Sequence, residues 1–391
     1  MFRGEKLREL RLLYGMSRAE LADKLNITEY EIWQFESDKV TPKVSSVVFS
    51  LAKLFKVNVG FFDTDSLTSC VNREKISFRA EDLSSEKVMK SQEIYVEMMH
   101  NFICRLESYL SPPKKIIYSL VEEVEDILVQ EPINKGVINK VSQLARECLG
   151  VSNANDDLLF KLELSGINVL SRFKTGGKIG EAYSLWTDDN VPYLVMANGK
   201  AFATRNFDLA RELGNLLLHR AVEFEMLDKF EREKVEQEAN DFALSFLLPD
   251  REFKRVFETL VAGGVSQPDS YISLKKHFNT SLKILEYKAF KLDYLDMKQH
   301  SNFLRQIHKK GYRAIEPLDR EISVYTAGKI LSMLDIVSKN NIIDIQGLIT
   351  SMRISKEMLA KLLYVDMDYF NNYKSSVNKY PQIIKLNTSK D

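Results

Sequence analysis

The sequence predicts a mainly α-helical protein with one small β-sheet, an α+β chain, and three observations predict it. Apolar residues recur at three- and four-residue steps through most of the chain, as in Val235, Ala239, Phe242 and Phe246, which is the spacing of a core-facing helical stripe. Ser or Thr stands three residues ahead of Glu at Ser17/Glu20 and Thr28/Glu31, the interval of a capping box at a helix start. Strand-like runs are confined to residues 154–206, where two of them flank the turn sequence Asp188-Asp189-Asn190.

In order, residues 1–66 read as a compact set of short helices. Leu7, Leu10, Leu12 and Leu13 give an apolar face, and Tyr14-Gly15-Met16 is a turn. Ser17 caps a helix over ELADKL, Asn26 breaks it, and Thr28 caps a second helix, EYEIWQFE. A polar turn with Pro42 leads to an amphipathic helix over VSSVVFSLAKLFKV. Residues 67–153 are helical and charged, with the stripe Ile94, Met98, Phe102, Ile103 and Leu106 stopped by Pro112-Pro113. This region suits a linker or dimerisation element, and His100, Met98 and Met99 read as core and surface rather than as ligands. DDLLFKLELSGINVL predicts a helix ending at Gly166 and then a strand. Asp208 to His219 and Glu231 to Leu248 predict two helices packed as an antiparallel pair. Residues 274–295 carry Lys275, Lys276, His277 and Lys283 and are expected to be scaffold rather than a DNA contact. SVYTAGKILSMLDIV and KEMLAKLLYVDMDYF predict further amphipathic helices before a polar terminus.

Composition bounds the function. Lys plus Arg and Asp plus Glu number 55 each in 391 residues, so a generally basic nucleic-acid coat is excluded and any DNA contact is a local patch. Cys70, Cys104 and Cys148 form no zinc or disulfide spacing, which suits a reducing compartment. The charged start MFRGEKLREL has no signal-peptide character and no apolar run reaches membrane-spanning length. The expectation is a cytoplasmic protein with no membrane partner.

Leu21, Ala22, Leu25, Ile27, Ile32, Phe35, Glu36 and Pro42 stand at intervals that resemble the lambda-repressor-like (XRE-type) helix-turn-helix domain. The resemblance implies a helix entering the major groove of a double-stranded operator. Thr28, Glu29, Tyr30, Trp33 and Gln34 would then face DNA, with Arg18 near a phosphate or guanine. Glu29 and Glu31 add negative charge there, so a homodimer is expected to supply the affinity.

Further on, Glu236, Ala239, Asn240, Phe242, Ala243, Leu247, Leu248 and Pro249 resemble the second motif helix of the ImmA/IrrE-type metallopeptidase family. In that family the preceding helix carries H-E-x-x-H. Here it reads Arg211-Glu212-Leu213-Gly214-Asn215, keeping only the glutamate of the general base. Two histidines at i and i+4 share one zinc while the glutamate polarises its water. Arg211 has no lone pair to donate, and Asn215 offers only a weak neutral oxygen. The degenerate site is therefore Arg211, Glu212, Asn215, Glu236 and Glu238, with no catalytic residue, metal or other cofactor expected. Arg211 is expected to replace the metal as a counter-ion by pairing with Glu236, and His219 reads as a helix-end residue.

The two resemblances divide the chain into a DNA-binding domain at 1–66, a helical linker or dimerisation region at 67–153, a degenerate metallopeptidase-like domain at 154–318 and a helical C-terminal region at 319–391. They imply a DNA-binding transcriptional regulator whose cleft senses a peptide, small molecule or protein, with a free sheet edge able to hold a peptide by strand addition. A phage or mobile-element context follows from resemblance. The alternatives are a zinc endopeptidase that cleaves a partner repressor and a non-catalytic antagonist of another regulator.

Overall fold

The computed structural model describes residues 2–42, 44–65, 69–79, 85–111, 113–174, 181–197, 199–261, 263–321, 326–373 and 384–385. Within them lie seventeen α-helices and one three-stranded sheet, the mainly α architecture that the periodicity predicts. Among the described residues no helix is long and apolar enough to cross a membrane.

The chain opens with α1 (Gly4–Leu13), α2 (Arg18–Leu25), α3 (Glu29–Glu36) and α4 (Phe49–Phe55). Ser17 and Thr28 both complete capping boxes: each hydroxyl accepts the amide of Glu20 or Glu31, whose carboxylate accepts the cap residue's own amide. The helix expected over VSSVVFSLAKLFKV is instead a π turn at Val44–Val48 followed by α4. The buried Glu36 carboxylate ties three helices, accepting from Arg11 on α1 and from Arg18 Nε on α2 at 2.7 Å.

Next come α5 (Glu86–Glu107), the two-residue strand β1 (Leu110–Ser111), α6 (Ile116–Gln130), α7 (Lys135–Leu149) and α8 (Leu158–Ser165). Gly166 stops α8 in the left-handed region at φ 112. Then β2 (Asn168–Ser171), β3 (Tyr183–Trp186) and β4 (Pro192–Met196) pair in the order β2-β4-β3, parallel for β2–β4 and antiparallel for β3–β4. The rest of the body is α9 (Phe202–Leu218), α10 (Lys229–Leu247), α11 (Asp250–Leu260), α12 (Ile272–Phe278), α13 (Leu282–Lys291) and α14 (Met297–Lys309). The chain closes with α15 (Lys329–Lys339), α16 (Ile345–Met352), α17 (Lys356–Leu363) and β5 (Ile384–Lys385), which pairs with β1.

Strand alternation divides the molecule into two cores. Leu170, Tyr183, Leu185, Tyr193 and Val195 face a core shared by α1–α5 and α15–α17. Val169, Trp186, Leu194 and Met196 face a core built from α6–α14. A sheet buried on both faces needs apolar residues at successive positions, which is why the runs read as nearly continuous. The stripe of α5, in the region expected to serve as a linker or dimerisation element, is enclosed in the first core. Tyr95 donates to the carbonyls of Ser171 at 2.9 Å and Leu362 at 3.0 Å, and Gln92 donates to Phe173 at 3.1 Å. The first four helices therefore share their core with the C-terminal ones. Lys275 is wholly buried between Glu316 and Asp319, each at 2.6 Å, so its charge serves the scaffold.

The C-terminal helices are fastened to the body at the start of α15. The Glu163 carboxylate accepts the amides of Gly328 at 3.0 Å and Lys329 at 2.9 Å, a charged acceptor at a helix N-terminus. Burial pushes the Lys329 ammonium down to about 8 from 10.5, although Glu107 and Glu163 pull the other way. Below pH 8 folded and unfolded chains both hold this proton. Between about 8 and 10.5 only the unfolded chain does, so stability attributable to Lys329 rises with pH, by at most about 1.4 kcal/mol per pH unit. Denaturant titrations of the wild type and Lys329→Met across this window check it: the difference should shift towards the wild type as pH rises, and a flat difference excludes it.

Candidate functional site

α9 is buried on nearly every side, between the sheet and α10. Gly214 makes the close approach of α10 possible, because a Cβ there would lie 2.9 Å from the Phe242 ring. The two helices are longer than expected by a few residues at their starts, and they form the predicted pair.

Glu212 is the centre of the site and is 1% exposed. Its Oε1 accepts Arg211 Nε at 3.1 Å and Nη2 at 2.8 Å. Its Oε2 accepts the hydroxyls of Ser77 at 2.8 Å and Ser184 at 2.9 Å and the Asn215 amide at 3.0 Å. Two carboxylate oxygens offer about four lone-pair sites, so five donors leave no acceptor capacity with which to activate a water.

Arg211 does not pair with Glu236. Its guanidinium lies against Glu212 and, at 3.5 Å, Asp208 one turn earlier on the same helix. The reason is reach: Glu236 sits at the partly exposed mouth of the cleft, 3.8 Å from Arg79, whereas Asp208 and Glu212 are buried beside the arginine. Burial acts to lower the Arg211 pKa, yet Glu212, Asp208 and Glu181 hold it above its ordinary value. Burial raises the Asp208 carboxyl, opposed by Arg211 and by Lys200, whose ammonium bridges Asp208 at 2.7 Å and Glu181 at 2.5 Å. These residues do not fit a zinc ion. A fixed cation occupies the first motif position, and the retained glutamate is committed to it.

The other polar residues extend the network. Asn215 Oδ1 lies 3.1 Å from His219 Nδ1, and His219 Nε2 lies 2.9 Å from Glu238 Oε2. His219, the C-cap of α9 as its helix-end position implies, is buried and links that helix to Glu238.

The sheet edge expected to hold a peptide is occupied by the chain itself. The Ser77 amide donates to the Ser184 carbonyl at 3.0 Å, and the Ser184 amide donates to Ser77 Oγ at 2.7 Å. Phe78 is buried against Tyr183, ring centres 4.9 Å apart. Upstream, Arg73 clamps Glu225 through Nε at 2.9 Å and Nη2 at 2.6 Å. With this linker in place the cavity lined by Ser77, Arg79, Arg211, Glu212 and Glu236 measures about 20 Å³, room for about one water. Ser77, Phe78, Ser184, Asp208 and Lys200 were not singled out by the sequence reading. The alternation Ile76-Ser77-Phe78-Arg79 is a short period-two signal for the irregular segment that lies along β3.

The remaining candidates lie on the N-terminal helices. Glu29 and Tyr30 are exposed on α3, and Trp33 and Gln34 are partly exposed. Tyr30 stacks on Trp33 at 5.4 Å, and Lys39 sits 4.0 Å over the Trp33 ring. The Thr28 hydroxyl is used in its capping box. Arg18 is turned towards Glu36, with its side chain still 37% exposed.

Residues 163–290, from the end of α8 into α13, match the family model of the IrrE N-terminal-like domain. None of the curated proteins matches the chain. The body thus carries an ImmA/IrrE-like metallopeptidase-family domain in which Arg211, Glu212 and Asn215 form a closed hydrogen-bonded cluster.

Proposed function

We propose that the protein is a sequence-specific DNA-binding transcriptional regulator, acting as a homodimer, whose inactive metallopeptidase-like domain serves as a sensor or protein-interaction module. The observation that carries this reading is the state of Glu212: neutralised by Arg211, saturated with donors and covered by the linker from the N-terminal helices. A domain without a usable base or metal set retains a cleft that holds an extended segment, here its own. That segment joins the N-terminal helices to the body, so displacing it offers a route from cleft to α3. Support for DNA contact is the outward face of Glu29, Tyr30, Trp33 and Gln34 on a doubly capped pair of helices, with the eight matched positions of the XRE-type pattern.

The test is genome-wide capture of bound DNA with the full-length protein, followed by binding measurements on recovered sites at a fixed salt concentration. Discrete sites with two related half-sites are expected. Gln34→Ala should weaken specific binding by about 1–3 kcal/mol and relax preference at one base position. Absence of discrete sites, or affinity unchanged by Gln34→Ala and Tyr30→Ala together, overturns the DNA-binding reading.

A further inference from the structure

Outside the cleft, three metal-ligating side chains converge from three separate segments, with a fourth, the exposed Cys104, at the edge of the group. The linker brings Cys70, whose carbonyl accepts the Asp188 amide at 2.8 Å. α5 brings His100 and, one turn later on the same face, Cys104. The turn between β3 and β4 brings Asp189. Single donor atoms of Cys70, His100 and Asp189 all lie within 4.8 Å of one another. His100 Nε2 is 3.2 Å from Asp189 Oδ2, while Cys104 Sγ stands beside the imidazole, 3.5 Å from Nε2 and 4.0 Å from Nδ1, outside the group formed by the other three. A tetrahedral zinc with bonds of about 2.0–2.1 Å to nitrogen and oxygen separates N from O by about 3.3 Å, the His100–Asp189 spacing; the exposed Cys104 side chain has to turn about its χ1 to enter such a shell.

The surroundings orient these donors. His100 is buried, and its other nitrogen, Nδ1, lies 3.0 Å from the Tyr193 hydroxyl. Tyr193 can accept from Nδ1–H and so leave the Nε2 lone pair directed at the cluster. The Asp189 Oδ1 accepts the Thr187 hydroxyl at 2.6 Å, which turns Oδ2 towards His100. A ring nitrogen and a carboxylate each held by an outer partner is the arrangement that fixes tautomer and orientation at metal sites. Two thiols, one imidazole and one carboxylate suit a borderline-soft divalent ion rather than calcium or magnesium.

We infer that Cys70, His100 and Asp189, with Cys104 turning in from the surface as the fourth donor, bind one zinc-class divalent cation, which fastens the linker to α5 and to the sheet. Binding releases the two thiol protons, so the ligand set becomes two thiolates, an imidazole donating through Nε2 and a carboxylate. Cys70 lies on the segment that leads to Ser77 and Phe78, so the cation holds the upstream end of the same linker that closes the cleft. Zinc in the purified protein would then report this site and not peptidase chemistry at Glu212.

The test uses full-length protein stripped with a chelator and titrated with Co²⁺, followed by competition with Zn²⁺. One equivalent is expected, with the visible bands of tetrahedral cobalt and thiolate charge-transfer absorption. Cys104→Ser and Asp189→Asn each alter an accessible side chain and should weaken binding by more than about 100-fold, since losing an outer partner alone costs about 10–100-fold. Cys148→Ser and Glu238→Gln should leave it unchanged. Absence of thiolate absorption, or equal affinity in Cys104→Ser, Asp189→Asn and the wild type, overturns the site. None of these outcomes bears on DNA binding by α3, so the two proposals fail separately.

Discussion

Glu212→Gln is expected to destabilise the fold by about 3–5 kcal/mol, the usual consequence of leaving one partner of a buried ion pair uncompensated. The substitution is nearly isosteric, so packing does not explain the loss. It removes the charge that neutralises Arg211 and leaves the guanidinium with Asp208 at 3.5 Å, a carboxylate that Lys200 also claims at 2.7 Å. Whichever way the new amide turns, its NH₂ meets donors: the Arg211 guanidinium at one position, or Ser77, Ser184 and Asn215 at the other.

The diagnostic is the double variant. Arg211→Met with Glu212→Gln removes the unpaired cation, while Asp208 keeps Lys200, so the pair of changes should cost less than Glu212→Gln alone. Denaturant unfolding of the wild type, both single variants and the double variant gives the coupling energy. A fully additive cycle would show that Arg211 is not the counter-ion of Glu212. An enzyme's general base behaves in the opposite way, since its removal abolishes turnover and commonly leaves the fold intact or firmer.

The sequence reveals what is local and periodic. Ser17 and Thr28 announce two helices through caps that the structure realises to the residue, and Gly166 stops α8 where the chain turns into β2. The α9–α10 pair follows from its apolar steps, and the loss of zinc ligands follows from the chemistry of Arg211 and Asn215. What stays hidden is long-range. The partner of Arg211 depends on how far Glu236 stands from the buried helix face, a distance that no interval encodes. Ser77 reaches Glu212 across 135 positions, and only the short alternation at Ile76–Arg79 hints at a strand. His100 and Cys104 stand at i and i+4 on one helix, a spacing that places both on one face. Their companions Cys70 and Asp189 arrive from the linker and from a turn.

Phe78→Ala should release the linker, with a loss of about 3–5 kcal/mol as for other buried phenylalanines. The loss will be concentrated in one segment, because the Phe78 ring is the apolar anchor of a linker otherwise held by polar contacts, among them Ser77 with Ser184 and Glu212, Arg73 with Glu225, and the Cys70 carbonyl with the Asp188 amide. Hydrogen exchange is the appropriate readout, since local opening is distinguished from global unfolding by which amides lose protection. The Ser77 and Ser184 amides should exchange rapidly in Phe78→Ala while those of α9 remain protected, and trypsin should cut at Arg73, Lys75 or Arg79 sooner than in the wild type. Unchanged protection at Ser77 and Ser184 would mean that Phe78 is not what holds the cleft shut. The magnitude also constrains any signal that works by displacement. Each 1.4 kcal/mol is about tenfold in population, so if the linker's seating free energy matches that loss, about 3–5 kcal/mol, the cleft is open in roughly one molecule in 10² to 10⁴. A competing peptide at about 100 times its dissociation constant for the open cleft contributes about 2.7 kcal/mol. That opens the cleft in a large share of molecules only when seating is near the lower bound; stronger seating requires a second weakening event at the linker.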